Sequence, residues 1–336
     1  MRWAAAQTRQ GTSPLDPFFA SRNHSIFFNA EQYQSKGAAP CARYAMNYAL
    51  IIPTLNAAAD IGRLLSTMLA QTLPPSEILV VDSSSEDETV PIASRVPGVR
   101  CVVIPRTEFD HGGTRDMALR MTQAEAVVFM TQDALPASPA CMERLLAPFA
   151  DARVAAVGGR QIAWPDARAY EQAVRAHNYP AASRVWDAGD IPGLGIRSFL
   201  ISDVCAAYRR EPYLAVGGFD HPLPTNEDML MAERLLHAGY ALAYAGDAAV
   251  CHSHNLTWAQ EYRRNYAIGR VLKRYEARFE HVRETGDGVA LVKAVLLSLA
   301  KGGHFIECIR FAFNCSARLL GNRMGRRDEA RAQQSK

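Results

Sequence analysis

The residues best suited to chemistry in this chain are acids and imidazoles placed beside turns. Asp133 stands at the end of the apolar run in VVFMTQDALP, just ahead of Pro136; Asp82 closes ILVVD. Glu227 and Asp228 open the helical pattern EDMLMAERLLHAG, and His252 and His254 follow the run YALAYAGDAAV. A hard divalent cation such as Mg2+ or Mn2+ takes oxygen ligands and keeps positions for water or substrate phosphate, so one carboxylate with an imidazole suffices to hold it. A separate carboxylate is then a candidate general base. Acids in the first turn of a helix are also favoured by the dipole and by its free N–H groups, which gives Glu227 and Asp228 a purely structural reading as well.

To bring these side chains together, the chain must set several strand ends side by side. From Tyr48 onward, short β-branched runs alternate with helical spacing: YALIIPTLN, AAADIGRLLSTMLAQT, EILVVDSSSEDETVPIASRV, VRCVVIPR, HGGTRDMALRMTQ, AVVFMTQ, SPACMERLLAPFA and VAAVGGRQI. That alternation predicts βαβ units and an α/β fold, a mostly parallel sheet flanked by helices. Ligands of open sheets lie beyond the carboxyl ends of the strands. The rule selects Pro53, Thr54 and Asn56 after the first strand, Asp82, Ser83 and Ser84 after the second, Arg106 after the third, and Thr131, Gln132 and Asp133 after the fourth. Neither GxGxxG after the first strand nor GxxxxGK[ST] is present, so the phosphate cradles of dinucleotide enzymes and P-loop NTPases are lacking. Beyond residue 163 the alternation breaks. A helical pattern from Asp166 to Trp186, a glycine-rich stretch, the turn VGGFDHPLPTNED, a helix and a strand lead to CHSHN, and from about Trp258 the pattern is helical and basic.

Six stretches in order carry a resemblance: IIPTLN, ILVVDSSSEDET, FDHGGTRD, TQDALP, VGGFD with NEDMLMAERLLHAGY, and HSHNLTWAQEYRRNYAIG. Together, over roughly Tyr48 to Leu272, they resemble the family 2 glycosyltransferases of GT-A Rossmann-like fold, and HGGTR with TQDA resembles the rhamnosyltransferase-like group. The resemblance implies an inverting, metal-dependent transferase moving a sugar, L-rhamnose from dTDP-rhamnose, onto a cell-surface glycan precursor. It implies that Pro53, Thr54, Asn56, Asp82, Ser84, His111, Arg115 and Gln132 serve the nucleotide-sugar, and that Asp133 with His252 or His254 serves the Mg2+ or Mn2+ ion. Asp228, beside Glu227, becomes the catalytic base, and Trp258 and Arg264 fall on the acceptor side. Thr131 stands where many relatives have the first acid of DxD, while Asp116 and Asp203 stand where Asn is common. QEYRR looks like QxxRW without its tryptophan, which argues against a processive synthase. The readings beside this one are the same class with a UDP-hexose or UDP-N-acetylhexosamine donor, and a catalytically silent sugar-nucleotide or glycan-binding module.

Residues 1–44 show no sustained periodicity and are expected to be a poorly ordered extension; the resemblance implies a catalytic domain at 45–258 with a nucleotide-sugar half (45–162) and an acceptor half (163–258), and the pattern at 259–336 predicts a helical, basic C-terminal region. Hydrophobic residues make up 49% of the chain and charged residues 21%, ordinary for a globular protein. Seven scattered cysteines without CxxC spacing exclude a disulfide framework or zinc knuckle and suit reduced packing residues. No run of eighteen apolar residues and no signal-peptide h-region is present, so the expectation is a cytoplasmic protein. The net charge of +3 conceals an asymmetry: from Glu261 onward there are 16 Lys and Arg against 8 Asp and Glu, and before it 21 against 26. A basic helical end in which apolar residues fill one side predicts an amphipathic element on the cytoplasmic face of the inner membrane or a helix pair packed on the catalytic body, and the two are compatible. It lacks the aromatic stacking runs that nucleic-acid binding would need. The expected partners are a nucleoside-diphosphate sugar and a glycan or lipid-linked acceptor.

Overall fold

The computed structural model describes residues 46–282 and 287–335; the extension expected at 1–44 lies outside the described residues. Nine strands form one sheet: β1 (Tyr48–Thr54), β2 (Glu77–Asp82), β3 (Val99–Val103), β4 (Ala126–Met130), β5 (Leu135–Pro136), β6 (Val154–Ile162), β7 (Arg184–Trp186), β8 (Cys205–Arg209) and β9 (Ala241–Cys251). Their order is β3-β2-β1-β4-β8-β6-β9-β5, with β7 also on β9. The half from β3 to β4 is parallel, as the alternating sequence demands. β8 then enters antiparallel to both β4 and β6, and β9 runs parallel to β6. This is the α/β architecture expected, a sheet flanked by helices and followed by C-terminal helices.

The helices are α1 (Ile61–Leu69), α2 (Thr89–Ser94), α3 (His111–Arg120), α4 (Cys141–Leu146), α5 (Ala169–Asn178), α6 (Ile191–Leu194), α7 (Arg210–Ala215), α8 (Glu227–His237), α9 (Trp258–Arg274), α10 (Asp287–Lys301) and α11 (Phe305–Gln334). All seven residues of β1 are buried, because both faces of the sheet are covered. Leu50, Ile52, Val80 and Val128 pack with Leu64, Leu65, Met142 and Phe149 on one face. Ile51, Leu79, Val127 and Phe129 pack with Leu119, Tyr213 and Leu235 on the other. The helical pattern read from Asp166 to Trp186 is shorter than expected. α5 stops at Asn178, because Pro180 biases the residue before it away from helix, and Arg184–Trp186 pairs with β9 instead.

From Trp258 to Gln334 the described chain is almost wholly helical. α9 and α11 lie side by side in the same direction, since Tyr262 meets Gly321, Tyr266 meets Gly325 and Arg270 bonds Glu329 in step. A Cβ on Gly325 would fall 2.1 Å from the Tyr266 carbonyl oxygen, so only glycine lets the two backbones approach this closely.

Strand direction fixes where chemistry converges. The carboxyl ends of β1, β2, β4, β6 and β9 share one edge, and because β8 is antiparallel its beginning, just after Asp203, lies there too.

Candidate active site

The first wall of this edge is the pair of turns after β1 and β2. Asp82 is fully buried, and its carboxylate accepts from Thr54 Oγ1 (2.8 Å), Ser85 N (2.7 Å) and Ser85 Oγ (2.6 Å). Asn56, at φ 50°, donates its N–H to Ser85 Oγ and accepts from Glu86 N, while Ser84, at φ 57°, donates to the Ile104 carbonyl. Left-handed backbone at two non-glycine residues is held by these bonds. Gln132 closes the wall: its amide accepts from Leu55 N at 2.8 Å and donates to Leu55 O at 3.1 Å. Pro53 is buried within β1. The acids and amides nominated here are thus satisfied within the chain and give the turns a fixed shape.

The second group is Asp133 with His252 and His254, whose ligand atoms all lie within 4.8 Å of one another. His252 Nε2 is 3.5 Å and His254 Nε2 3.4 Å from Asp133 Oδ2. Gln161 sets the tautomer of His252. Arg175 can only donate, and its guanidinium bonds Gln161 Oε1, while Gln161 Nε2 donates to Tyr179 Oη and Ser202 Oγ, both at 2.9 Å. Oε1 therefore faces His252 Nδ1 at 3.1 Å as an acceptor, so Nδ1 carries the proton and Nε2 presents its lone pair to Asp133. Burial holds both imidazoles below their ordinary value, His254 at about 3, so they stay neutral. Burial works against ionisation of Asp133, but the charges that His252 and His254 take on in acid, with the Thr131 hydroxyl, outweigh it and keep the carboxyl well below the usual carboxylate range. A ring lone pair and a carboxylate that face each other suit a cation between them. Two ligands each about 2.1 Å from one ion sit roughly 3–3.5 Å apart, which matches this spacing. The donor set fits a divalent cation.

The third group surrounds Glu227 and Asp228 at the start of α8, after Asn226 at φ 65°. Arg115, nearly buried on α3, places NH1 3.1 Å from Glu227 Oε1 and Nε 3.5 Å from Asp203 Oδ2. His111, at the first position of α3, lies 3.8 Å from Glu227 and receives Arg115 NH1 on its carbonyl at 3.0 Å. The HGG sequence is needed because a Cβ at Gly112 would sit 2.2 Å from the Asp220 carbonyl oxygen. Asp228 is treated differently from its neighbour. It accepts Met229 N at 2.8 Å and Asp203 N at 3.4 Å, and among the described residues it forms no ion pair. Desolvation, then the charges of Glu227 and Asp203, push its pKa well above the ordinary carboxylate value. Asp203 is itself raised to about 7 by burial, against Arg115. Glu227 is held by a cation, and Asp228 is left basic.

The second and third groups are joined. Thr131 N bonds the Val204 carbonyl, Ser202 receives Gln161, and Asp203 N reaches Asp228, so the segment 202–204 spans the interval between them. Arg264 adds a charge that acts on His111, His252 and His254 alike. Trp258, 46% exposed at the start of α9, stacks on Tyr262 at 5.8 Å. Sequence reasoning had not nominated Gln161, Arg175 or Asp203. Gln161 lies near the end of β6, where the strand-end rule would have found it; Asp203 precedes its strand, and only the antiparallel entry of β8 brings it to this edge.

Residues 49–217 match the model of glycosyl transferase family 2. The chain is 35% identical over 287 residues to the O-antigen chain rhamnosyltransferase RfbN of Salmonella typhimurium, covering 84% of this chain and 90% of that protein. It is 37% identical to the O-antigen chain rhamnosyltransferase WbaN of Salmonella anatum over 83% of this chain and 89% of that one. Among solved structures, a mannosyltransferase from Pyrobaculum calidifontis in complex with GDP-Man and Mn2+ superposes with a TM-score of 0.57 at 20% identity, over 88% of this chain and 89% of that chain. That likeness is one of fold.

Proposed function

The chain belongs to glycosyl transferase family 2 and is a glycosyltransferase, and on that premise we propose that it moves L-rhamnose from dTDP-rhamnose, with inversion, onto a cell-surface glycan precursor carried on a lipid at the cytoplasmic face of the inner membrane. The donor sugar rests on the two O-antigen relatives that match this chain over most of its length. In this reading, Pro53, Thr54, Asn56 and Ser84 border the nucleotide, and Asp82 and Gln132 hold those turns in shape. His111 and Arg115 line the donor side. Asp133, His252 and His254 hold a Mg2+ or Mn2+ ion, which when bound neutralises negative charge on the departing diphosphate. Asp228 takes the proton of the acceptor hydroxyl as it attacks the anomeric carbon from the face opposite the leaving group, and Glu227 stays locked to Arg115. Trp258 and Arg264 border the acceptor.

The observation that carries this reading is the division of labour between adjacent acids: Arg115 clamps Glu227, while Asp228 meets only backbone N–H groups and, desolvated beside Glu227 and Asp203, is raised well above the ordinary carboxylate value. The test is a donor panel on the purified chain, dTDP-rhamnose, UDP-glucose, UDP-N-acetylglucosamine and GDP-mannose, each with Mn2+ and with chelator, read as donor turnover and as thermal shift. dTDP-rhamnose alone should be turned over, and chelator should abolish turnover. Turnover of a UDP-sugar in its place would reassign the donor while leaving the class intact.

A further inference from the structure

The C-terminal helices carry exposed apolar side chains that the catalytic edge does not use. Of the fourteen exposed large hydrophobic residues among those described, eight lie between Val289 and Leu320. On α11 they are ordered. At 3.6 residues per turn, Phe305, Ile306, Ile309, Phe313 and Leu320 fall within an arc of about 100°. They are 69%, 68%, 61%, 63% and 46% exposed. The same arc continues through Arg323, Arg327 and Arg331, all exposed and without an ion pair among the described residues, and it contains no acid. The opposite side of α11, with Phe311, Ala317, Gly321 and Gly325, is buried.

We infer that this stripe of α11 is a docking face for an anionic lipid bilayer, with Phe305, Ile309 and Phe313 inserted among the acyl chains and Arg323, Arg327 and Arg331 at the phosphates. An apolar band that runs into uncompensated arginines suits an interface in which carbon meets carbon and anions meet cations. A second copy of the chain fits poorly. Paired in parallel, the arginines would face one another; paired antiparallel about the apolar band, they would meet Lys301 and His304. Neither arrangement brings an acid to them. The face also reaches the catalytic edge. Ser316, inside the same arc, lies 3.5 Å from the indole N–H of Trp258, and Trp258 is four residues from His254. A bilayer on this stripe would present a lipid-borne acceptor beside the rim of the site. That last step rests on the lipid-linked acceptor proposed above; the docking face itself does not.

The test uses the full chain and sedimentation with phosphatidylcholine vesicles, with and without phosphatidylglycerol. The parent should bind only the anionic vesicles, and added salt should release it. Because Phe305 and Phe313 touch little of the protein, F305S/F313S should fold like the parent and lose binding by about tenfold or more. R323Q/R327Q should lose about tenfold or more on anionic vesicles, each cation being worth about fivefold. Thermal denaturation should leave both variants unchanged, and transfer to a lipid-free acceptor should persist. Equal binding of parent and variants would overturn the inference. So would a parent that ignores vesicles and forms a dimer that F305S/F313S dissolves. Failure of the donor panel would not touch this result, since vesicle binding needs no sugar.

Discussion

Gln161 offers the sharpest handle on the candidate cation site, because it is not one of the three ligand residues and reaches them through His252. Its Oε1 is pinned as an acceptor by Arg175 and therefore dictates which nitrogen of His252 holds the proton. Gln161→Met keeps the length and removes the acceptor. His252 Nδ1–H then has no fixed partner, its ring is free to choose the other tautomer, and in that tautomer Nε2 carries a proton where a lone pair is required. Outer partners of ligating histidines typically contribute about 10–100-fold in metal affinity, equivalent to roughly 1.4–2.7 kcal/mol. Arg175 keeps Glu171 at 2.9 Å, so the change does not strand a buried charge. Gln161→Glu should act in the opposite direction, since a carboxylate accepts the same proton more strongly and raises the basicity of the ring. The assay is Mn2+ titration followed by electron paramagnetic resonance, with no sugar present. An affinity in Gln161→Met equal to that of the parent, or equal losses in the Met and Glu variants, would refute the tautomer argument.

Asp228→Asn should lower kcat about 10²–10⁴-fold while donor affinity stays near that of the parent, read from turnover and from equilibrium binding of the donor; a parental rate would remove Asp228 from the base role. Asp203→Asn should change how stability depends on pH. Asp203 is faced by Arg115 of α3, by Glu227 and Asp228 of α8 and by Tyr208 of β8. Its carboxyl is raised to about 7, so the folded state binds its proton more tightly than the unfolded chain does, and stability falls as pH rises between the ordinary carboxylate range and about 7. The Asn variant should therefore gain Tm relative to the parent at pH 8 more than at pH 5, and a difference independent of pH would contradict this. Removing the same charge should also shift the acid limb of the rate profile to lower pH, because Asp203 is one of the charges that raise Asp228. Arg115→Gln leaves Glu227 buried without its cation and should cost about 3–5 kcal/mol by chemical denaturation. The double variant with Glu227→Gln should recover most of that loss, and additive losses would show that the pair is not coupled.

Much of the fold was legible because its strands are covered on both faces. ILVVD and AVVFM are short, β-branched or apolar throughout, and closed by turn residues, a pattern a helix of useful length does not produce. β8 was not legible. CAAYR is five residues long and runs into two arginines, and its strand state comes from the neighbours β4 and β6 that flank it. The overlong helix from Asp166 has the converse cause: alanines and arginines sustain a helical pattern past Tyr179-Pro180, but β9 offers Arg184–Trp186 a partner. Asp133, His252 and His254 were found by their positions after strands, and their assembly needed the parallel register of β6 with β9.

One topological event explains why a donor set suited to a cation and a basic carboxylate lie on the same edge. Strands β1 to β4 deliver the residues at their carboxyl ends, here Asp82 and the TQD turn, and the crossover helix α3 adds His111 and Arg115. β8 reverses direction between β4 and β6, so the segment before it, Ser202–Val204, is laid across the same edge. From there Ser202 holds Gln161 and thereby His252, and the Asp203 backbone orients the Asp228 carboxylate. A change that displaces the backbone of 202–204 should therefore disturb cation affinity and proton transfer together, whereas changes of single side chains should each disturb one alone. Ser202→Ala, which removes the acceptor of Gln161 Nε2 while leaving Tyr179 in place, belongs with Gln161 in Mn2+ titration, and Asp203→Asn belongs with Asp228 in the pH profile.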